Sequence, residues 1–195
     1  TLAANVEDLD ATLINNTKIK LTLNGNDLRN EIWGNTGNDI INGGGGNDII
    51  YGGKGADKLT GGDGSDSFRF YEGDGKDLIT ATDATDIIAI DNGTGISPSV
   101  DLLFYTDKKG NFYIDYTDEG KGTDIITLAK GYDPATTIQF GTATIHVNEI
   151  LQTLSNSQYL GLNAGATSLT FADKAEQAAD LVLVWDVGGG GGGTP

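Results

Sequence analysis

The chain has 195 residues, a formal net charge of −16 and a hydrophobic share of only 37%. Such an acidic surface disfavours nucleic acid and anionic membranes as electrostatic partners and favours cations. Cysteine is absent and His146 is the single histidine, which excludes disulfides, a Cys/His nucleophile pair and a multi-histidine zinc site.

No apolar run approaches the roughly 18 residues of a membrane span; the longest candidate is Leu181–Trp185. With Thr1 first and no signal peptide there, the chain reads as a piece of a longer protein. Residues 1–24 alternate apolar side chains at Ile19, Leu21 and Leu23, a strand pattern, and read as a cap or plain coil. Residues 25–33 (GNDLRNEIW) begin a glycine-led pattern with Asn30 at its sixth place and Ile32 at its eighth.

From Gly34 to Arg69 the pattern becomes regular: GNTGNDIIN, GGGGNDIIY, GGKGADKLT, GGDGSDSFR, four nonapeptides in one register. Gly stands first and fourth, Asp sixth (Asp39, Asp48, Asp57, Asp66), and an apolar residue eighth (Ile41, Ile50, Leu59, Phe68). Positions seven to nine make a minimal strand with the eighth side chain inward, and positions one to six make a turn. Each turn reverses the chain, so two repeats complete a coil of about eighteen residues, stacked on the next at roughly 4.8 Å. Asp39 then lies beside Asp57 on one edge, and Asp48 beside Asp66 on the other. Carboxylates stacked this closely repel unless a cation neutralises them. Calcium fits, because it accepts six to eight oxygens, including carbonyls exposed in Gly-rich turns; magnesium demands a stricter octahedron and keeps its waters. This glycine-aspartate nonapeptide period is the signature of a calcium-binding parallel β-roll. In residues 25–33, Asn30 offers an amide oxygen opposite Asp48 with one less charge, so a site there is expected to be weaker.

After Arg69 the pattern breaks and echoes as EGDGKDLI, placing Asp77 eleven residues after Asp66. Asp77 either closes a last site against Asp57 or stands outside the ladder. Strands are predicted over 87–90, 102–105, 112–116, 125–128, 138–140 and 144–147, with a hairpin at Lys108-Lys109-Gly110-Asn111. Residues 70–148 are expected to cap the stack, followed by a short helix over 149–154. Farther on, residues 171–180 have helical composition, 181–187 read as a strand, and Gly188–Gly193 as a linker or flexible tail.

The repeats resemble the RTX, or haemolysin-type calcium-binding, family of proteins exported by Gram-negative type I secretion. The resemblance implies an all-β fold: a parallel β-roll over 25–69, a β cap over 70–154 with its short C-terminal helix, and a tail over 155–195 where secretion signals lie. It implies several Ca2+ ions between turns n and n+2. Their side-chain ligands would be Asp39, Asp48, Asp57 and Asp66, with Asn30 and Asp77 at the ends. Backbone carbonyls would come from four turns: Gly34, Thr36 and Gly37; Gly43, Gly44, Gly45 and Gly46; Gly52, Gly53, Lys54 and Gly55; and Gly61, Gly62, Asp63 and Gly64. It further implies an extracellular or cell-surface location and the type I secretion machinery as a partner. The run from Leu102 to Tyr132 is also similar to the segment that follows the repeats in larger RTX cytolysins.

Catalysis is not expected. No nucleophile elbow occurs, Gly43–Gly46 lacks the GK[ST] of a phosphate loop, and His146 sits in an alternating strand. Asp133-Pro134 reads as a turn. Two functional classes stand. One is a calcium-triggered folding module serving a larger secreted toxin, adhesin or enzyme. The other is an adhesive module that binds a surface or polysaccharide through Phe104, Tyr105, Phe112, Tyr113 and Tyr116, residues that core packing would equally explain.

Overall fold

The computed structural model describes residues 1, 3, 5–14, 19–91, 102–116, 123–140, 143–154, 159–162 and 170–171. The predicted helix over 171–180 apart from Phe171, which is strand, the strand over 181–187, the glycine tail and nearly all of the suggested secretion region lie outside the described residues.

Strands fall into two sheets. The first holds seven: β1 (Asp8–Asp10), β3 (Glu31–Trp33), β5 (Ile49–Tyr51), β7 (Ser67–Phe70), β9 (Ile87–Ile90), β13 (Thr137–Phe140) and β14 (Ala143–His146), in that spatial order. The second holds nine: β2 (Thr22–Asn24), β4 (Ile40–Gly45), β6 (Lys58–Asp63), β8 (Lys76–Ile79), β12 (Ile125–Leu128), β11 (Phe112–Asp115), β10 (Leu102–Thr106), β15 (Tyr159–Leu162) and β16 (Thr170–Phe171). From β1 to β9 the chain crosses from one sheet to the other at every turn. Each strand pairs in parallel with the strand two elements earlier, which is the all-β parallel roll the period of nine predicts.

The roll does not stop where the repeats stop. After β9 the chain leaves to build the antiparallel pair β10–β11, then returns: β12 pairs in parallel with β8, and β13 in parallel with β9. A final antiparallel strand, β14, leads into helix α1 (Val147–Leu154).

Alternation across each strand sends one side chain per repeat inward. In the second sheet Leu23, Ile41, Leu59, Ile79 and Leu128 form a continuous column. In the first, the column is Leu9, Ile32, Ile50, Phe68, Ile88, Ile138 and Ile145. Most of these are fully buried, Ile32, Ile50, Leu59, Phe68, Ile88 and Ile138 at 0% exposure. Each such side chain contributes about 1.5–3 kcal/mol by leaving water. The core is therefore narrow, and the turns must be held by something besides apolar burial. On the outer face, Trp33, Tyr51 and Tyr71 make successive edge-on contacts with ring centroids 5.1 and 5.0 Å apart.

Candidate metal centre

The sixth residue of every repeat is buried at the mouth of its turn: Asn30 0%, Asp39 1%, Asp48 1%, Asp57 2% and Asp66 1% exposed, with Asp77 at 2%. They form two ladders. Along one edge, Leu21 N donates to Asp39 Oδ1 at 2.8 Å, Asp39 N to Asp57 Oδ1 at 2.6 Å, and Asp57 N to Asp77 Oδ1 at 2.9 Å. Along the other, Asn30 N donates to Asp48 Oδ1 at 2.7 Å, Asp48 N to Asp66 Oδ1 at 2.8 Å, and Asp66 N to Asp86 Oδ1 at 2.9 Å. The steps within the repeats span 18 residues; the steps to Asp77 and Asp86 span 20. Asp77 thus stands on the ladder of Asp57 despite its shifted place in the sequence.

The second carboxylate oxygen separates inner from outer rungs. Asp39 Oδ2 accepts from Asn35 N at 3.0 Å, and Asp86 Oδ2 from Asp83 N at 2.9 Å. Asn30 Oδ1, expected to face Asp48, instead accepts from Asn26 N of its own turn at 2.8 Å. Asp48 Oδ2, Asp57 Oδ2 and Asp66 Oδ2 are buried with no hydrogen-bond partner. A buried unpaired carboxylate oxygen costs several kcal/mol unless a charge meets it.

These three oxygens face the first glycine of their own turn. A Cβ built on Gly43 would run into Asp48 Oδ2 and stand 2.6 Å from the carbonyl oxygen of Gly61, one coil away. Gly52 and Gly61 meet Asp57 Oδ2 and Asp66 Oδ2 in the same way, and at Gly34 a Cβ would strike the carbonyl oxygen of Gly52 with Asp39 Oδ2 at 3.0 Å. Around Gly43, then, a carboxylate oxygen of one turn and a carbonyl of the turn stacked on it converge. Gly53 and Gly55 hold the turn with φ of 89° and 142°, backbone that side-chain-bearing residues resist. Thr36, Lys54 and Asp63 point outward, so only their backbones line the turns. Among the described residues no three His, Cys, Asp or Glu side chains converge as a metal site, so carbonyls must supply much of any coordination shell. Hard oxygens from carboxylates and carbonyls are the donor set calcium takes. The residues present fit that ion.

Burial, opposed in part by the ladder hydrogen bonds, pushes Asp57 up to about 7 and Asp66 up to about 6. Asp77 goes up to about 8, again chiefly by burial, with Asp57, Asp74 and Asp124 adding like-charge repulsion. Asp48 and Asp86 move upward for the same first reason. Without a metal, burial makes each of these groups harder to ionise than an ordinary carboxylate.

Three acidic residues at this end were not singled out in the sequence: Asp74, Asp86 and Asp124, all buried. Asp86 carries a signal in retrospect, since it follows Asp66 by the same 20 residues that separate Asp57 from Asp77. Asp124 carries none, lying 51 residues from the Gly73 amide that it accepts.

Elsewhere, Phe104, Phe112 and Tyr116 pack into the core, while Tyr105 and Tyr113 stack outside it with ring centroids 4.8 Å apart. His146 Nδ1 lies 3.1 Å from Ala135 O and 3.2 Å from Thr137 Oγ1, bracing the β13–β14 end. Asp133 Oδ1 accepts from Ala135 N at 2.8 Å, the Asx turn of an Asp-Pro corner.

Residues 23–59 and 33–68 match the RTX calcium-binding nonapeptide repeat, a family described in units of four copies. Among solved structures, the AlgE6R3 subunit of the Azotobacter vinelandii mannuronan C5-epimerase is similar at 25% sequence identity and a TM-score of 0.44, covering 63% of this chain and 81% of that one. No curated protein matches the chain.

Proposed function

We propose that the RTX calcium-binding repeats of residues 23–68 make this chain a folding switch, thrown when a larger protein reaches calcium-rich surroundings. The observation that carries this reading is the set of three buried, unpartnered oxygens, Asp48 Oδ2, Asp57 Oδ2 and Asp66 Oδ2, set against glycine turns. With calcium scarce, these carboxylates either repel or must stay protonated, and the narrow core opposes that cost poorly. With calcium present, the free energy of binding becomes free energy of folding. Extracellular modules hold calcium at roughly 10⁻⁴ to 10⁻³ M, which places such a switch between the inside and the outside of a cell. A type I-secreted toxin, adhesin or enzyme from a Gram-negative bacterium is the parent that suits this behaviour. The chain itself carries no catalytic role in this reading.

Calcium titration followed by far-ultraviolet circular dichroism tests the switch. A mostly disordered chain should convert to β structure as calcium rises, and EGTA should reverse the change. A β spectrum indifferent to EGTA would sink it.

A further inference from the structure

At Asn30 the ladder changes polarity. Above it, the sixth residue of each turn accepts a backbone N–H from the coil before: Asp48 Oδ1 from Asn30 N at 2.7 Å, and Asp66 Oδ1 from Asp48 N at 2.8 Å. Asn30 is 0% exposed and donates instead. Its Nδ2 gives hydrogen bonds to Val6 O at 3.1 Å and Glu7 O at 3.2 Å, while its Oδ1 is engaged by Asn26 N at 2.8 Å. Asn26 works beside it. Its Nδ2 donates to Val6 O at 2.7 Å and Ala3 O at 2.8 Å, and its Oδ1 accepts from Leu28 N at 2.8 Å.

Two amides thus meet the carbonyls of the segment that leads into β1, the strand at the end of its sheet. That segment has little else to hold it. Among the described residues of 1–14 only Ala11 is buried, Leu9 is partly covered, and Val6 is 39% exposed. Beside the amides stand two backbone bonds, Glu31 N to Glu7 O and Ala11 N to Trp33 O, both 2.8 Å. The chemistry at Asn30 also turns a cation away. An amide nitrogen has hydrogens and no lone pair to offer, and the amide oxygen is already engaged within its own turn. A carboxylate at this place would face the oxygens of Val6 and Glu7 and would need an ion between them; the asparagine needs none.

We propose that Asn26 and Asn30 form a metal-independent clasp, which stops the calcium ladder at Asp48 and fastens residues 3–11 to the first coil. The turn of residues 25–30 then holds no ion, and the edge of the roll carries no half-built site. Calcium governs the coils that follow, while hydrogen bonds alone close this end. The clasp rests on the reading of the later turns as calcium-binding.

Hydrogen exchange and equilibrium dialysis of the full chain, both in saturating calcium, test the clasp. In Asn30→Ala the Glu31 and Ala11 amides should exchange about three- to tenfold faster than in the unaltered chain, the scale of one hydrogen bond, with the amides of β5 to β7 unchanged. The number of calcium ions bound should stay the same. One ion fewer would make Asn30 a ligand and overturn the clasp, and so would unchanged exchange at Glu31 and Ala11. Should that variant not fold, Asn26→Ala alters a half-buried residue and leaves Asn30 in place. It too should speed exchange at the same two amides without loss of an ion, and unaltered protection there would refute the assignment. An unaltered chain that bound no calcium would overturn the reading of the repeats and the ladder stop together.

Discussion

The repeat coils and the later coils share two sheets and two inner columns, yet their turns are closed by different means. In the later part, the turns at Asp83, Asp107 and Asp133 satisfy their own polar groups. Asp83 Oδ1 accepts from Thr85 N at 2.7 Å, Asp133 Oδ1 from Ala135 N at 2.8 Å, and Asp107 Oδ1 from Lys109 N and Asn111 N at 2.9 Å. These hydrogen bonds, led by that from Asn111 N, hold Asp107 down at about 2, a carboxylate content with its charge. In the repeats, Asp57 and Asp66 are pushed the other way, and their outer oxygens meet only a glycine. One strand pattern thus supports two kinds of turn: one complete in itself, the other complete only with an ion. The apolar columns do not tell them apart; the partner of the second carboxylate oxygen does.

Calcium removal is the strongest way to break this comparison. Hydrogen exchange as EGTA is added in steps should show the amides of β4 to β7 losing protection before those of β10 and β11. Uniform loss across both regions would mean that the turns do not differ in their need for an ion.

Next in size is Asp57→Asn. Removing a charged ligand, worth about 1.5–3 kcal/mol in a hydrogen-bonded charged contact, should raise the calcium midpoint of folding by roughly tenfold or more. The same substitution should make the metal-free chain easier to fold, because it removes a buried like charge. A midpoint unchanged in a titration followed by circular dichroism would argue that Asp57 is not a ligand.

Acidity should act with opposite sign in the two states. Asp57 and Asp77 rise in the folded metal-free chain to about 7 and about 8 from an unfolded value of 3.8. The folded form therefore holds protons that the unfolded form has released. Their contribution is fully present below pH 3.8 and fades as pH rises toward about 8. Without calcium, thermal melts should show a more stable fold at pH 5 than at pH 8. In calcium, protons compete with the ion, and the trend should flatten or reverse. A metal-free chain that gained stability with rising pH would contradict the buried ladder.

The smallest effect sharpens the other side. Asp83→Ala removes a self-closing turn and should cost about 0.5–2 kcal/mol, the scale of losing a capping side chain. That cost should be the same with calcium saturating or absent, measured by denaturant melts at pH 5, where the metal-free fold is favoured.

How much of this was legible beforehand follows from where the information sits. The period of nine fixes the inward residues Ile41, Ile50, Leu59 and Phe68, and it brings Asp39 to Asp57 and Asp48 to Asp66, because register in a roll is a matter of counting. Counting also carries Asp77 and Asp86 onto the ladders once a two-residue step is allowed. It fails at β12, which pairs Ile126 with Asp77 across a separate hairpin. Nothing in a local pattern says which earlier strand a returning chain will choose. Asp124 was hidden for that reason, and so was the replacement of the Asp column by Ile126, which is where that ladder ends. The fate of the aromatics was open for a different reason: alternation separates Tyr105 from Phe104 but does not say which face meets the core.

The spacing of the strand pairs also sets an order in time. Repeat coils close over 18 residues and the next ones over 20, whereas β8 waits for β12, whose Ile126 stands opposite Asp77 beyond the whole β10–β11 excursion. Loop closure grows costlier with length, and distant pairings form late. The ion-bound coils should form first and offer β8 as a finished edge. The returning chain then has a template to meet rather than a partner to search for.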